Sequence, residues 1–253
     1  MVLAHSLERT ILISATPETV FRFFTDTGRW AAWWGAGSTI DPTPGGAVRI
    51  RYPDGTEVAG EVVEITRPQR IVFTYGYTSG KPFAAGGSRV AIRLEAEGMA
   101  TRLSLRHDFA EAADRDLHVQ GWRYQLSLFG NVVANEVHAN AADLVDRWFL
   151  AWSIADEDER ARALSAIASA DVQFRDRFSM VSGLADLAAH IGGALRFMPG
   201  ISLKRSGPVR HCQGTALADW TATAADGQPR ARGTSVFVFA PDARISSVVG
   251  LWE

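Results

Sequence analysis

The order of helix and strand signals in residues 183–252 most strongly constrains the fold of this chain. An apolar helical pattern at 183–196 precedes several long strand-like runs. Turn residues such as Asp226-Gly227 and Asp242-Ala243 separate these runs. Antiparallel strands that follow a single helix tend to fold over it. The pattern therefore predicts an α+β domain whose sheet and helix enclose a pocket.

The rest of the chain has room for a second domain, since its 253 residues exceed the usual size of one. Apolar residues make up 47% and charged residues 21%, which is typical of a globular protein. Asn140 is in position to cap a new helix. We therefore expect one domain at 1–138 and another at 139–253.

The first half alternates strand signals with two kinds of helix. A strand at 9–14 precedes Thr16-Pro17, which marks the start of a short helix. A long helix should end this half, because Trp122, Leu126 and Phe129 form one helical stripe. Between the helices we expect strands at 48–52, 57–65, 71–77, 89–96 and 102–109. This order predicts a helix-grip domain, a bent antiparallel sheet around a long C-terminal helix at 114–137.

Four segments of this half are similar to a known family. They are Trp30-Ala-Ala-Trp-Trp-Gly35, Pro44-Gly-Gly46, Gly60-Glu-Val-Val-Glu64 and Arg70-Ile-Val-Phe-Thr-Tyr75. Around them, roughly residues 6–137 resemble the START-like (SRPBCC) superfamily, in the branch named for homologues of the heat-shock-protein-90 ATPase activator. The resemblance implies a helix-grip fold that binds a small apolar ligand.

The second half resembles another family. Gly-Leu-Ala-Asp-Leu-Ala-Ala-His-Ile at 183–191, Met-Pro-Gly at 198–200, Asp219-Trp220 and Gly250-Leu251-Trp252 are similar to the SnoaL-like branch of the nuclear-transport-factor-two-like superfamily. This implies a cone-like α+β barrel related to polyketide cyclases and ketosteroid isomerases. Arg177 stands where that family usually has proline. All tyrosines lie in the first half, which argues against steroid isomerase chemistry with a tyrosine donor.

Strand alternation selects candidate ligand contacts in the first domain. His107 shares a face with Leu103 and Leu105, and the apolar face of 71–77 carries Phe73, Tyr75 and Tyr77. A few polar groups on an apolar face are typical of a pocket. His107 could instead be a rim histidine bonded to a neighbour, with Tyr75 a packed core ring. Three indoles at Trp30, Trp33 and Trp34 could stack on a flat ligand or pack in the core, and Trp122 faces them from the long helix.

Candidate catalytic residues lie in the second domain. Asp176 follows Val172 and Phe174 on one strand face, and a carboxylate in an apolar pocket can serve as a general acid or base. His190, on the helix at 183–196, could complete a proton relay or simply bond to the sheet. Trp220 alternates with small alanines and is predicted to line the pocket, with Trp252 closing the sheet beside it.

The sequence also argues against several classes of site. A single cysteine, Cys212, rules out an internal disulfide and a multi-cysteine zinc site. No metal-ligand spacing or cofactor motif occurs, so we expect no metal and no cofactor. The net charge is −2, without the basic excess of a nucleic-acid binder. We find no secretory signal or membrane span and expect a cytoplasmic protein without membrane or nucleic-acid partners.

Three functions remain open at this point. The first is a binding protein with two apolar pockets for hydrophobic molecules, aromatic or polyketide-like. The second is a cofactor-independent cyclase, isomerase or lyase in which Asp176 and His190 transfer protons. The third is a stress-related or interaction module whose second domain forms a homodimer through the strand face bearing Leu217 and Asp219. Dimerisation is compatible with either of the first two.

Overall fold

The computed structural model describes residues 2–253 as two compact units. One unit ends at Ala134 and the other begins at Asn135. Each unit contains one β-sheet with helices, so the architecture is α+β.

The first unit has a seven-stranded antiparallel sheet and three helices. The strands are β1 His5–Ile13, β2 Thr39–Ile40, β3 Ala47–Arg51, β4 Glu57–Thr66, β5 Arg70–Tyr75, β6 Ser88–Glu97 and β7 Ala100–Phe109. The helices are α1 Pro17–Arg22, α2 Thr27–Trp34 and α3 Ala112–Val137. The strand order is β1-β7-β6-β5-β4-β3-β2, and every pair is antiparallel. A long helix that packs against such a sheet agrees with the helix-grip prediction.

Local signals start the two short helices. The Thr16 hydroxyl accepts a hydrogen bond from the Thr19 amide, with Pro17 at the first helical position of α1. Asp26 caps α2 by accepting from the Arg29 amide at 2.8 Å. These caps satisfy backbone donors that have no partner inside the helix.

Aromatic packing holds α2 and α3 in the core of this unit. The Phe129 ring, fully buried on α3, lies 4.8 Å from the Trp33 ring and 5.0 Å from the Phe24 ring. Both pairs are within the range in which aromatic rings attract one another beyond simple burial. The stripe predicted on the long helix therefore faces the core.

The second unit contains three helices and a six-stranded sheet. The helices are α4 Ala141–Ala151, α5 Glu157–Ser165 and α6 Leu184–Phe197. The strands are β8 Ala168–Arg175, β9 Met180–Ser182, β10 Ser202–Cys212, β11 Thr215–Thr223, β12 Pro229–Phe239 and β13 Ile245–Trp252. The strand order is β10-β11-β12-β13-β8-β9. β10 to β13 form the antiparallel meander that the sequence predicts.

One pairing in this sheet lies outside that meander. β8 joins β13 in parallel, with Phe174 opposite Val248 and Arg175 opposite Val249. All other strand pairs of the second sheet are antiparallel. The sheet is therefore mixed. β8 precedes α6 in the chain, and the last strand, β13, returns alongside β8 in the same direction.

The described part of the chain has neither a membrane-spanning helix nor a metal-binding cluster. No helix within residues 2–253 combines the length and apolar character that a bilayer crossing requires. The same residues contain no group of three or more His, Cys, Asp or Glu side chains placed to hold a metal ion.

Candidate functional site

The largest cavity described lies in the second unit and has a volume of about 620 Å³. We call it the second-unit cavity. Its wall combines aromatic and aliphatic side chains with a few polar groups. The aromatic residues are Trp148, Phe149, Trp152, Phe174, Phe178, Phe197, Trp220 and Trp252, and the ionisable residues are Asp176, His190 and Arg230.

Strand alternation explains why there is space beside Trp220. Trp220 and the alanines Ala218 and Ala222 of β11 all point inward and are almost fully buried. The small side chain of Ala222 leaves room beside the indole, and Ala222 lines the cavity with Trp220. The Trp252 ring of β13 lies 5.1 Å from the Trp220 ring at an angle of 84°, an edge-to-face pair. The structure thus places both tryptophans in the cavity wall.

Asp176 lies just after β8, at the polar end of this wall. Its Oδ1 accepts hydrogen bonds from the Phe178 amide at 2.9 Å, the Ser179 amide at 2.8 Å and the Ser179 hydroxyl at 2.8 Å. Its Oδ2 accepts from Trp252 Nε1 at 3.2 Å. The prediction that this carboxylate has apolar surroundings is therefore wrong, because four hydrogen-bond donors contact it.

His190 is connected to Asp176 through Ser179. The Ser179 Oγ lies 3.3 Å from His190 Nε2 and donates its single proton to Asp176. His190 Nε2 must then carry a proton and donate it to Ser179, so that in a neutral ring Nδ1 is the acceptor. Within the described residues Nδ1 has no hydrogen-bond partner. The three side chains form a line that ends at a free imidazole lone pair.

Ser179 and Trp152 are functional candidates that the sequence analysis missed. The Asp-Arg-Phe-Ser order at 176–179 could have revealed Ser179, since an aspartate often accepts from the backbone and side chain two or three residues later. Trp152 follows α4, and its buried Nε1 has no hydrogen-bond partner. Its ring lies 5.9 Å from the His190 ring, so the two side chains are neighbours in the cavity wall.

The first unit has a smaller cavity of about 300 Å³, the first-unit cavity. Trp34, Tyr52, Tyr75, Tyr77, His118 and Trp122 are in its wall. The hydroxyls of Tyr52 and Tyr75 lie 3.0 Å apart. Burial raises the pKa of both phenols, so they remain protonated near neutral pH. This wall is more polar than the apolar pocket that the sequence predicted.

A hydrogen-bond chain orients the polar groups of this cavity. His118 Nδ1 lies 2.6 Å from the Asp114 carbonyl oxygen, to which only a protonated nitrogen can donate. His118 Nε2 is then the acceptor for the Tyr77 hydroxyl at 3.0 Å. Burial lowers the pKa of His118, which favours this neutral tautomer.

His107 lies on the predicted face of β7, but its ring is inaccessible. Trp122 Nε1 donates to His107 Nδ1 at 2.9 Å, so His107 Nε2 must donate to the Ser88 hydroxyl at 2.8 Å. The Ser88 hydroxyl in turn donates to the Tyr75 carbonyl oxygen at 2.8 Å. Burial, with a smaller contribution from His118, holds the pKa of His107 well below its usual range. Since both nitrogens are occupied, His107 is a structural histidine here and cannot bond to a ligand.

Three other predicted ligand contacts of the first domain are also packed in its core. Trp30, Trp33 and Phe73 are almost completely buried. Trp30 Nε1 donates to the Arg49 carbonyl oxygen at 3.2 Å, and Trp33 Nε1 donates to the Phe23 carbonyl oxygen at 3.3 Å. None of the three is in the wall of the first-unit cavity. The two indoles and the Phe73 ring are therefore structural.

Comparison with known proteins gives one family match. Residues 14–134, just under half of the chain, match the family described as Activator of Hsp90 ATPase homolog 1-like protein. This supports a START-like domain in the first unit. No curated protein matches the chain.

Several solved structures are similar to part of the chain. A protein of the SnoaL-like family from Agrobacterium tumefaciens is 22% identical, with 47% of this chain and 98% of the other covered and a TM-score of 0.43. CalU16 from Micromonospora echinospora is 25% identical, with coverages of 52% and 77% and a TM-score of 0.43. The Aha1 dimer from Colwellia psychrerythraea is 18% identical, with coverages of 48% and 90% and a TM-score of 0.43. Because every one of these scores is below 0.5, the similarities carry no functional argument.

Proposed function

We propose that this protein binds a hydrophobic small molecule, aromatic or polyketide-like, in the second-unit cavity. The observation that carries the proposal is the wall of that cavity, in which eight aromatic side chains surround about 620 Å³. Ligand sites in proteins commonly have volumes of about 300–1,000 Å³ and few polar groups. Here the polar groups Asp176, Ser179 and His190 lie together, so they would orient one end of a ligand.

The proposal assigns different roles to the two units. The first unit is a START-like domain whose hydroxyl-lined cavity is small, and we assign the main ligand to the second unit. We also propose that the second unit is SnoaL-like. Support comes from its helix α6, the meander β10–β13 that follows it, and the cavity between helices and strands.

A fluorescence titration tests the binding proposal. N-phenylnaphthylamine, an uncharged aromatic probe that brightens in apolar sites, is titrated into the full chain. Ala222→Phe fills the cavity from β11 and should weaken binding about tenfold or more, since a ring occupies the ligand's volume. Thr221→Phe, on the opposite face of the same strand, is the matched control and should leave binding unchanged.

A second cavity-filling variant keeps the test informative if Ala222→Phe fails to fold. Ala231→Phe enters the same cavity from β12 and should have the same effect. Thermal unfolding of each variant checks that the fold is retained. If folded Ala222→Phe and Ala231→Phe proteins bind the probe as well as the parent chain does, the second-unit cavity is not the binding site.

A second candidate function is cofactor-independent proton transfer of the cyclase, isomerase or lyase type. The line from Asp176 through Ser179 to His190 favours it, because it fixes one imidazole tautomer and leaves Nδ1 unprotonated. Such a nitrogen can take an α-proton from a ketone and return it to the enolate.

Hydrogen–deuterium exchange tests this chemistry without knowledge of the natural substrate. 2-Tetralone, a bicyclic aromatic ketone, is incubated with the protein in deuterated buffer, and loss of its α-proton signals is followed by NMR. The parent chain should accelerate exchange, His190→Ala should abolish the acceleration, and Asp176→Asn should reduce it. Equal acceleration by the parent and His190→Ala chains would exclude His190 as the base.

A further inference from the structure

A second opening adjoins the second-unit cavity, at the point where strands β8 and β13 end. β8 ends at Arg175, whereas its parallel partner β13 continues from Val249 to Trp252. The uneven ends leave an opening of about 480 Å³, which we call the edge groove. Asp176, Gly250 and Trp252 belong to both the edge groove and the second-unit cavity, so the two spaces adjoin.

The edge groove differs from the cavity in its charge. Arg175 and Arg177 are in its wall and are exposed. Neither has a carboxylate partner among the ion pairs of the described residues. Both guanidinium groups therefore remain free to bind an anion.

The acidic groups near the edge groove already have hydrogen-bond or ion-pair partners. Asp176, between the two arginines, accepts four hydrogen bonds from backbone and side-chain donors. Glu253, which follows β13, pairs with Arg232 at 2.6 Å. The groove thus carries an excess of positive charge.

Arg177 is close to the cavity itself. Its guanidinium carbon lies 5.0 Å from the centre of the Phe178 ring, a cation–π arrangement. The Phe178 ring lies 5.3 Å from the Trp252 ring, and both rings are in the cavity wall. One aromatic ring therefore separates the positive charge from the apolar volume.

Gly250 lies where the two spaces adjoin. A Cβ at this position would lie 3.3 Å from the Asp176 Cβ, a tighter contact than most side chains tolerate. Because glycine has no side chain, β13 can approach Asp176 closely at this point.

We propose that the ligand is an aromatic anion whose ring system lies in the second-unit cavity and whose acidic group is bound by Arg175 and Arg177 in the edge groove. This proposal rests on the proposed function and adds the ligand's charge and orientation. A carboxylate or a sulfonate satisfies it equally, since each offers oxygen acceptors to the guanidinium groups.

Two fluorescent probes with the same ring skeleton test the proposal. Anilinonaphthalene sulfonate is N-phenylnaphthylamine with an added sulfonate group. Both are titrated into the full-length parent chain, the double variant Arg175→Gln/Arg177→Gln and the control Arg162→Gln, which changes an exposed arginine on α5. We expect the double variant to bind the sulfonate about threefold to tenfold more weakly, the usual effect of losing partly solvated ion pairs.

The uncharged probe supplies the internal control. Its affinity should change less than about twofold in the double variant, because the apolar wall is intact. The control Arg162→Gln should bind both probes as the parent chain does. Sulfonate binding to the parent should also weaken with added salt, because salt screens exposed charges.

The outcomes separate this inference from the proposed function. If the uncharged probe binds but the double variant binds the sulfonate as tightly as the parent does, the anion site is overturned and the cavity proposal stands. If Ala222→Phe removes sulfonate binding whereas the double variant does not, the acidic group lies elsewhere in the cavity. If neither probe binds the parent chain, both proposals fail.

Discussion

Acid should destabilise the first unit through His107. Burial lowers the pKa of this imidazole in the folded chain, whereas in the unfolded chain it titrates near its ordinary value of about 6.5. The unfolded state therefore binds more protons once the pH falls below that value. Stability is complete above the unfolded pKa and is lost progressively as the pH falls toward the folded pKa.

The size of this effect follows from proton linkage. An imidazole that is protonated only in the unfolded chain lowers the free energy of unfolding by about 2 kcal/mol between about pH 7.5 and pH 5. The geometry supports a neutral folded ring, because Nδ1 accepts from Trp122 and so cannot carry a proton without breaking that bond. Burial also lowers the pKa of His118, which adds to the loss in the same direction.

Urea unfolding at the two pH values measures the effect, with tryptophan fluorescence as the signal. His107→Gln keeps an acceptor and a donor but cannot titrate, so its loss between the two pH values should be smaller by about 2 kcal/mol. His5→Gln, at the partly exposed start of β1, is the control and should behave as the parent chain does. Equal losses in the parent and His107→Gln proteins would refute the argument that His107 is held neutral in the core.

Three further predictions concern packing and assembly. Gly60→Ala should destabilise the first unit by about 3 kcal/mol, since its Cβ would lie 1.8 Å from the Thr74 carbonyl oxygen; a urea midpoint within error of the parent would contradict this. Gly121→Ala should stabilise α3 by about 0.5–1 kcal/mol, because the new methyl group meets open space and alanine favours a helix, and thermal unfolding would show an unchanged or lower midpoint if this is wrong. We expect a homodimer through the outer face of β11, so sedimentation velocity should find a dimer that Leu217→Arg dissociates, and a monomeric parent chain at micromolar concentration would exclude that interface.

Much of the local structure could be predicted from the sequence because short-range physics decides it. Thr16-Pro17 fixed the start of α1, and the alternation along β7 identified its buried face correctly. The apolar stripe on α3 and the alternation of alanines with Trp220 on β11 could equally be predicted from the sequence. These features depend on periodicity and capping within a few residues.

The environment of individual site residues was less predictable. The prediction for Asp176 considered only its own strand, whereas the turn at Ser179 and the distant Trp252 supply its donors. For Trp30 and Trp33, sequence spacing could not distinguish a cavity wall from the core, because both require a buried indole. Long-range packing decides that choice.

Strand pairing is the other feature that the sequence did not predict. Parallel pairing of β8 with β13 joins segments separated by the helix α6 and the four strands β9 to β12. Neither strand carries a local signal for its partner, since both have alternating patterns that suit either direction. The edge groove, which depends on the offset between the ends of these two strands, could not be inferred from sequence for the same reason.

The position of β13 in the sheet also determines the order in which the second unit can be completed. β13 lies between β12 and β8, yet it is the last strand of the chain. Until it is synthesised, β10–β12 and the β8–β9 pair have no shared hydrogen bonds and remain two separate pieces. β13 must therefore be synthesised before the cavity can close, and its insertion joins the sheet, brings Trp252 to Trp220 and forms the edge groove.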